Sequence, residues 1–280
     1  MTQAFADPAA TRFAAARARR FRWRESRISG VLLVIALLCL WEASARFHIV
    51  DSVNWPPFST VMVALVASLF DGEMLPVIVS TLWRMARGYA IGCTLGVTVG
   101  FAIALYRPVR LALQPTIELL RPVPIPAIIP PLIFLLGLGD SLRLFAIAFA
   151  TFFPVALNTL AGVRSIEPLY TQVARTFGVP RLTALRRVVF PAALPFILAG
   201  LRTSLGLAFV VTVIAEMIVG QEGIGYYLIT MQFAMRAPDM YAGIILVTCL
   251  AYLINRAFVA WEAHAIRWAR LAETMQGDAK

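Results

Sequence analysis

The chain has 280 residues, of which 60% are hydrophobic and 14% charged, with a mean hydropathy of +0.79 and a net charge of +10. Soluble domains carry about 25% charged residues, so a water-soluble protein is excluded, and apolar runs long enough to cross a bilayer predict a polytopic all-α membrane protein. The arginines fall between apolar segments and form no basic domain, so a nucleic-acid partner is excluded too.

Residues 1–28 form an arginine-rich tail with Arg12, Arg17, Arg19, Arg20, Arg22, Arg24 and Arg27. A first span follows over 29–47, interrupted by Glu42 and Arg46. Ala43-Ser44-Ala45 imitates the cleavage site of an export signal, but the charged leader is too long and more spans follow, so a retained helix is expected. Residues 48–74 are expected to form an external loop with an amphipathic helix. The core occupies 75–262, with spans predicted at Gly88–Tyr106, Pro122–Gly139, Leu144–Val163, Pro195–Val219 and Tyr241–Phe258. The tail is 263–280.

In the second span Gly88, Gly92, Gly96 and Gly100 recur every fourth residue. Such a stripe lets another helix approach closely, for packing or as a pore lining. The third span opens on Pro122, Pro124 and Pro126 and contains Pro130-Pro131, which no regular helix accommodates. Broken backbone at membrane depth needs protein or a water-filled cavity beside it, so this segment fits a kinked packing helix and a pathway wall equally well.

Arginine bias sets the sidedness. The first tail, the loop after the second span (Arg107, Arg110, Arg121), the loop after the fourth (Arg164, Arg175, Arg181, Arg186, Arg187) and the last tail (Arg267, Arg270, Lys280) share one side of a six-span topology. Both termini are therefore expected in the cytoplasm. The other side holds Asp51, Asp71, Glu73, Asp140, Glu222 and Asp239 and, against the trend, Arg46, Arg84, Arg87, Arg143 and Arg236.

Polar residues within the spans are candidates for the pathway or its gate. Glu216 lies fourteen positions after Arg202, about 21 Å along a helix, near the outer end. An ionisable residue in a span is a functional candidate by default; an alternative is a helix-end Glu paired with Arg84 or Arg87. Asn158, Thr203, Ser204 and Thr212 fit either pathway lining or helix–helix glue. Tyr226–Met235 is aromatic and uncharged, suited to the outer interface and to receiving a docking partner.

Cys39, Cys93 and Cys249 sit in apolar runs, and His48 and His264 are solitary, so no metal centre is expected. A membrane-embedded enzyme would need clustered His, Asp or Glu. An ion-coupled secondary transporter would show a repeated half or an intramembrane charge network, and neither is evident.

The most informative stretch is the cytoplasmic loop at about 166–191. Leu169, Val173 and Phe177 share one face of a short helix. Gly178 suits the left-handed end of that helix, and Pro180 suits the first position of a new one. Leu182, Leu185 and Val189 form the second apolar stripe, flanked by Arg181, Arg186 and Arg187, and Pro191 is expected to stop the helix. This pattern fits a helix lying on the membrane surface or a knuckle for another protein.

The loop resembles the EAA loop of ABC-importer permeases, whose pattern is E-A-A, three residues, G, nine residues, I-x-L-P. Gln172, Val173 and Ala174 stand in the E-A-A places, Gly178 in the G place, and Val188, Phe190 and Pro191 in the I, L and P places. Gln172 departs from the acidic residue, which removes one possible ion pair with an ATPase. The resemblance runs from about Ser80 to Arg270 and is similar to the subgroup for nitrate, taurine and aliphatic sulfonates, which also includes permeases for thiamine-precursor pyrimidines.

The resemblance implies a type I importer fold of six spans in the bacterial inner membrane, paired with a second permease copy in a homodimer and surrounded by lipid. It implies ATPase subunits docked on Ala174, Gly178, Arg181, Leu182, Arg186 and Pro191, and a periplasmic or lipid-anchored protein that delivers a small anionic solute. It implies no catalysis by this chain. Independently of any resemblance, the sole lysine is Lys280 at the C-terminus, so no Walker A motif is possible. ATP, the only cofactor implied, must bind a partner.

Overall fold

The computed structural model describes residues 27–50, 52 and 54–265. Residues 1–26 and 266–280, which hold most of the tail arginines, and Asp51 and Val53 lie outside them. Every regular element among the described residues is helical. The chain divides into two compact units, Met1–Ala64 and Leu65–Lys280.

In the first unit α1 (Arg27–Arg46) contains the expected span. Its two charges are used locally: Glu42 accepts from Arg46 Nε, from Ser59 Oγ at 2.9 Å and from the Ser59 backbone N–H at 2.9 Å. Glu42 thereby satisfies a free N–H in the first turn of α2 (Phe58–Phe70). α2 carries no charged residue and is more apolar than the amphipathic helix expected here.

The second unit is built around α3 (Met74–Leu105), α6 (Asp140–Arg164) and α9 (Phe190–Val219). α3 and α6 run parallel in the largest contact of the fold. The glycine stripe of α3 faces a matching row on α6. A Cβ at Gly88 would stand 2.7 Å from Ile147 Cβ, one at Gly96 2.8 Å from Val155 Cβ, and one at Gly100 2.7 Å from Thr159 Cβ. α9 crosses the same helix in the opposite sense, with Gly200 against Asn158 and Gly162 against Phe196. α10 (Ile224–Phe233) and α11 (Ala237–Ala265) complete the unit, and Ile224 and Leu228 pack with Met85, Ile147, Leu205 and Phe209 in the main core.

Three expectations change. The second span begins at Met74, not Gly88, so Arg84 and Arg87 lie within a helix. The proline-rich segment is not one straight span. Arg107–Leu120 forms α4 where a loop was expected, and α5 (Ile125–Leu136) leaves it at 106°. Twelve helical residues reach only about 18 Å, so α5 alone is too short for a core of about 30 Å. Pro122 and Pro124 stand at the break, where they supply no N–H to continue the helix. With the bent pair counted as one, six apolar segments among the described residues are long enough to cross a membrane.

The third change is at Pro191, which does not end its helix. A five-residue π turn over Leu185–Val189 joins α8 (Arg181–Ala184) to α9. The wider ring accommodates a residue that lacks an N–H and whose ring would clash with an ordinary preceding turn.

Candidate functional site

Local sequence builds the corner of the 166–191 loop. α7 (Pro168–Thr176) ends where Gly178 adopts φ +66°. The Val179 N–H donates to Ala174 O at 2.9 Å, and the Phe177 N–H to Val173 O at 3.0 Å, so the orphan carbonyls of the last turn are satisfied in a Schellman arrangement. Pro180 then stands one residue before α8, as its N-cap rather than its first helical residue.

The corner presents Leu169, Val173, Phe177 and Leu182 outward, and Phe177 is 81% exposed. Gln172, Arg181 and Arg186 are also exposed, Ala174, Val188 and Pro191 are half-buried, and Phe190 stacks on Phe101 at 6.0 Å. No ion pair among the described residues uses Arg181, Arg186 or Arg187. An apolar stripe flanked by unpaired guanidinium groups is chemically suited to a protein partner with an apolar groove and acidic rim.

A charge cluster closes the opposite end of α3, α6 and α9. Arg84 donates through Nε to Asp140 at 3.0 Å, through Nη1 to Glu216, and through Nη2 to Glu222 at 2.6 Å. Arg87 and Arg143 add contacts to Asp140 at 3.1 and 3.3 Å. The second oxygen of Glu216 accepts from Thr81 Oγ1 at 3.0 Å and from the Gly225 N–H at 3.1 Å. Thr81 Oγ1 accepts in turn from the Ile224 N–H at 2.8 Å. Gly223 has φ +102°, and the Glu216 carboxylate fills the space a Cβ would occupy there. Glu216 thus caps α10 and faces protein on all sides.

The five arginines that ran against the orientation trend are all ion-paired. Arg46 pairs with Glu42, Arg236 with Asp239, and Arg84, Arg87 and Arg143 within the cluster. Arg107, Arg110, Arg121 and Arg164 form no ion pair among the described residues.

Between α6, α9 and the α4–α5 break lies a cavity of about 630 Å³, open on one side. Of the five polar candidates Glu216, Asn158, Thr203, Ser204 and Thr212, Asn158 and Thr203 line it. Ser204 and Thr212 are buried and bond back to Leu201 O at 2.9 Å and Ala208 O at 2.7 Å. They serve helix packing here. Arg121, expected as an orientation charge in a loop, lines the cavity instead. Its position directly before Pro122-x-Pro124-x-Pro126 is the sequence signal for a charge held at a helix break.

Comparison with known proteins follows the same lines. Residues 92–270 match the family model for the binding-protein-dependent transport system inner membrane component. A protein named for aliphatic sulfonates transport, SsuC of Bacillus subtilis, is 28% identical over 250 residues, covering 89% of each chain. The taurine transport system permease protein TauC of Escherichia coli is 30% identical over 259 residues, covering 89% of this chain and 94% of its own. A solved amino acid ABC transporter with histidines superposes with a TM-score of 0.59 at 18% identity, covering 72% of this chain and 97% of that one, a likeness of fold.

Proposed function

The chain belongs to the family of binding-protein-dependent transport inner-membrane components, as a multi-pass permease subunit of an ABC importer, and from this we propose that it carries a small anionic solute of the sulfonate, taurine or nitrate kind. The solute arrives from a periplasmic or lipid-anchored binding protein. A second, identical copy completes the pathway, because one six-span unit with one coupling loop needs a partner to engage two ATPases. ATP is hydrolysed on those separate subunits, and this chain is not itself an enzyme. Both termini face the cytoplasm. Within the second unit, Arg107, Arg110, Arg164, Arg181, Arg186 and Arg187 form no ion pair among the described residues, whereas Arg84, Arg87, Arg143 and Arg236 toward the opposite end are ion-paired, and this supports that orientation.

The observation that carries the coupling role is the corner at Gly178, which holds Val173, Phe177 and Leu182 out of the bundle. The pathway is read as the cavity beside α6 and α9, and Glu216 as the residue that fixes the outer end of α9 rather than a solute ligand.

The test is co-expression with the ATPase and binding protein, comparing wild type with Gly178→Pro. Loss of the ATPase from the purified complex, and of ATP-driven uptake, with unchanged membrane levels is the expected result. Uptake by wild type without any ATPase would overturn the importer reading in favour of ion coupling. Uptake of a thiamine-precursor pyrimidine in place of any anion would overturn the solute class alone.

A further inference from the structure

We propose that Arg121 and Asn158 form a transit site inside the permease for an amphipathic monoanion, a single anionic head joined to a short aliphatic body. This rests on the importer reading above and narrows it, because it places a specificity element in the membrane subunit itself.

The position of Arg121 carries the argument. It follows the last residue of α4, at the break, and shares the cavity with Phe149 and Asn158 of α6 and Thr203 and Val210 of α9. The lining runs from Phe149 to Asn158 on α6 (Asp140–Arg164) and from Thr203 to Ile214 on α9 (Phe190–Val219), so the cavity flanks the middle of both helices. A cation at that depth is costly unless it faces a polar cavity or a counter-charge. No carboxylate lines this cavity, and the Glu216 carboxylate is bonded to Arg84, Thr81 and Gly225. The missing counter-charge is the one an anionic solute brings.

The neighbouring polar groups define which atoms are available. Asn158 Nδ2 donates to Pro154 O at 2.8 Å, which leaves its second N–H for an anion. Thr203 donates its only hydroxyl hydrogen to Ala199 O at 3.0 Å and has none left for an anion. The head group is therefore left to the guanidinium fork, which matches a planar or tripodal oxyanion, with one Asn158 N–H on the same cavity wall.

The remaining wall discriminates among anions. Val123, Ile125, Phe153, Leu157 and Leu207 are apolar, so an aliphatic body gains from burial. A small, fully hydrated anion such as nitrate loses water there with little return. A zwitterion such as taurine brings an ammonium group that meets no carboxylate. Alkanesulfonates of a few carbons satisfy the head and the wall together, and a cavity of about 630 Å³ holds one with water to spare.

The experiment uses the permease with its ATPase in lipid nanodiscs, without binding protein, and titrates butane-1-sulfonate, butan-1-ol, taurine and nitrate against binding heat and unfolding temperature. Butane-1-sulfonate is expected to bind saturably, with taurine, nitrate and butan-1-ol at least about tenfold weaker. Arg121→Gln should weaken butane-1-sulfonate by about tenfold or more, as expected for losing a charge-assisted bond, and Arg121→Lys should restore part of it.

Absence of saturable binding to wild type, equal binding by Arg121→Gln, or taurine binding as tight as butane-1-sulfonate overturns the proposal. If Arg121→Gln loses its ATPase or its unliganded stability, Asn158→Asp decides instead. It should abolish butane-1-sulfonate binding, and unchanged binding overturns the site. ATP-driven uptake in the presence of the binding protein is scored separately. A chain that imports on ATP yet binds no butane-1-sulfonate loses the cavity site and keeps the importer reading.

Discussion

Arg84 and Glu216 are 132 residues apart in sequence and form an ion pair in which neither side chain reaches solvent appreciably. Each also holds other elements: Arg84 reaches Asp140 on α6 and Glu222 beyond α9, and Glu216 caps α10. One contact therefore fixes the relative positions of four helices at this end of the bundle.

The two partners are not equivalent, and a double-mutant cycle exposes the difference. Arg84→Met strands Glu216 in a site without another cation in contact, and removing one partner of a buried pair costs about 3–5 kcal/mol. Glu216→Gln leaves Arg84 with Asp140 and Glu222 and should cost less, about 1–3 kcal/mol. The double variant should lie well short of the sum. Thermal unfolding in nanodiscs reads all three, and strict additivity would contradict the coupling.

Helix packing at the glycine stripe predicts a sharp positional contrast. A Cβ at Gly92 overlaps Thr151 Oγ1 and the Ala148 backbone, whereas a Cβ at Gly206 meets nothing within 4 Å. Gly92→Ala should separate α3 from α6 and destabilise by about 1–3 kcal/mol or more. Gly206→Ala should be neutral or stabilising by about 0.5–1 kcal/mol, since alanine is the better helix former. Unfolding midpoints of the two variants check this.

Phe177→Ser and Leu182→Ser probe the corner without touching the bundle core. Both residues are exposed in the chain, so unfolding of the permease alone should shift by no more than about 0.5 kcal/mol. Co-purification of the ATPase should fall about tenfold or more, the scale of a buried apolar anchor at an interface. Normal ATPase retention by both variants would remove the stripe from the docking role.

The proposed sidedness is open to a labelling test. With Cys39, Cys93 and Cys249 replaced by alanine, Gln221→Cys beside the charge cluster should react with an impermeant maleimide in intact cells. Phe177→Cys should react only after permeabilisation. The reverse pattern would invert the topology.

The corner was legible in the sequence because Gly178 and Pro180 act within a few residues of themselves. Glu216 was legible as an ionisable residue in a span, with Arg84 among its possible partners, but the full cluster was not. Apolar-run reasoning starts the second span at Gly88, after the charges, while the helix begins at Met74 and carries Arg84 and Arg87 inside. With that boundary late, Asp140, Arg143 and Glu222 read as unrelated loop charges.

The α4–α5 break was legible only as a proline problem. α4 carries Arg107, Arg110, Gln114 and Glu118, and so reads as loop, while its strongly one-sided apolar face is what folds it into a helix. In the sequence Arg121 consequently joins the arginines that mark the cytoplasmic side, and only the three-dimensional path of the chain brings it to the cavity that Asn158 also lines.

The uninterrupted run from Arg181 to Val219 gives the coupling corner and the charge cluster the two ends of a single connecting rod. Its 39 residues extend about 58 Å at 1.5 Å per residue, more than the thickness of the bilayer. A tilt of roughly 10° about its midpoint would swing each end by about 5 Å, one helical pitch. Movement imposed by the proposed ATPases at one surface would then reach the other directly, without a relay of side-chain rearrangements between them. The π turn near the driven end, where helical hydrogen bonding is already loosened, is the place along the rod where such a stroke can be absorbed or passed on.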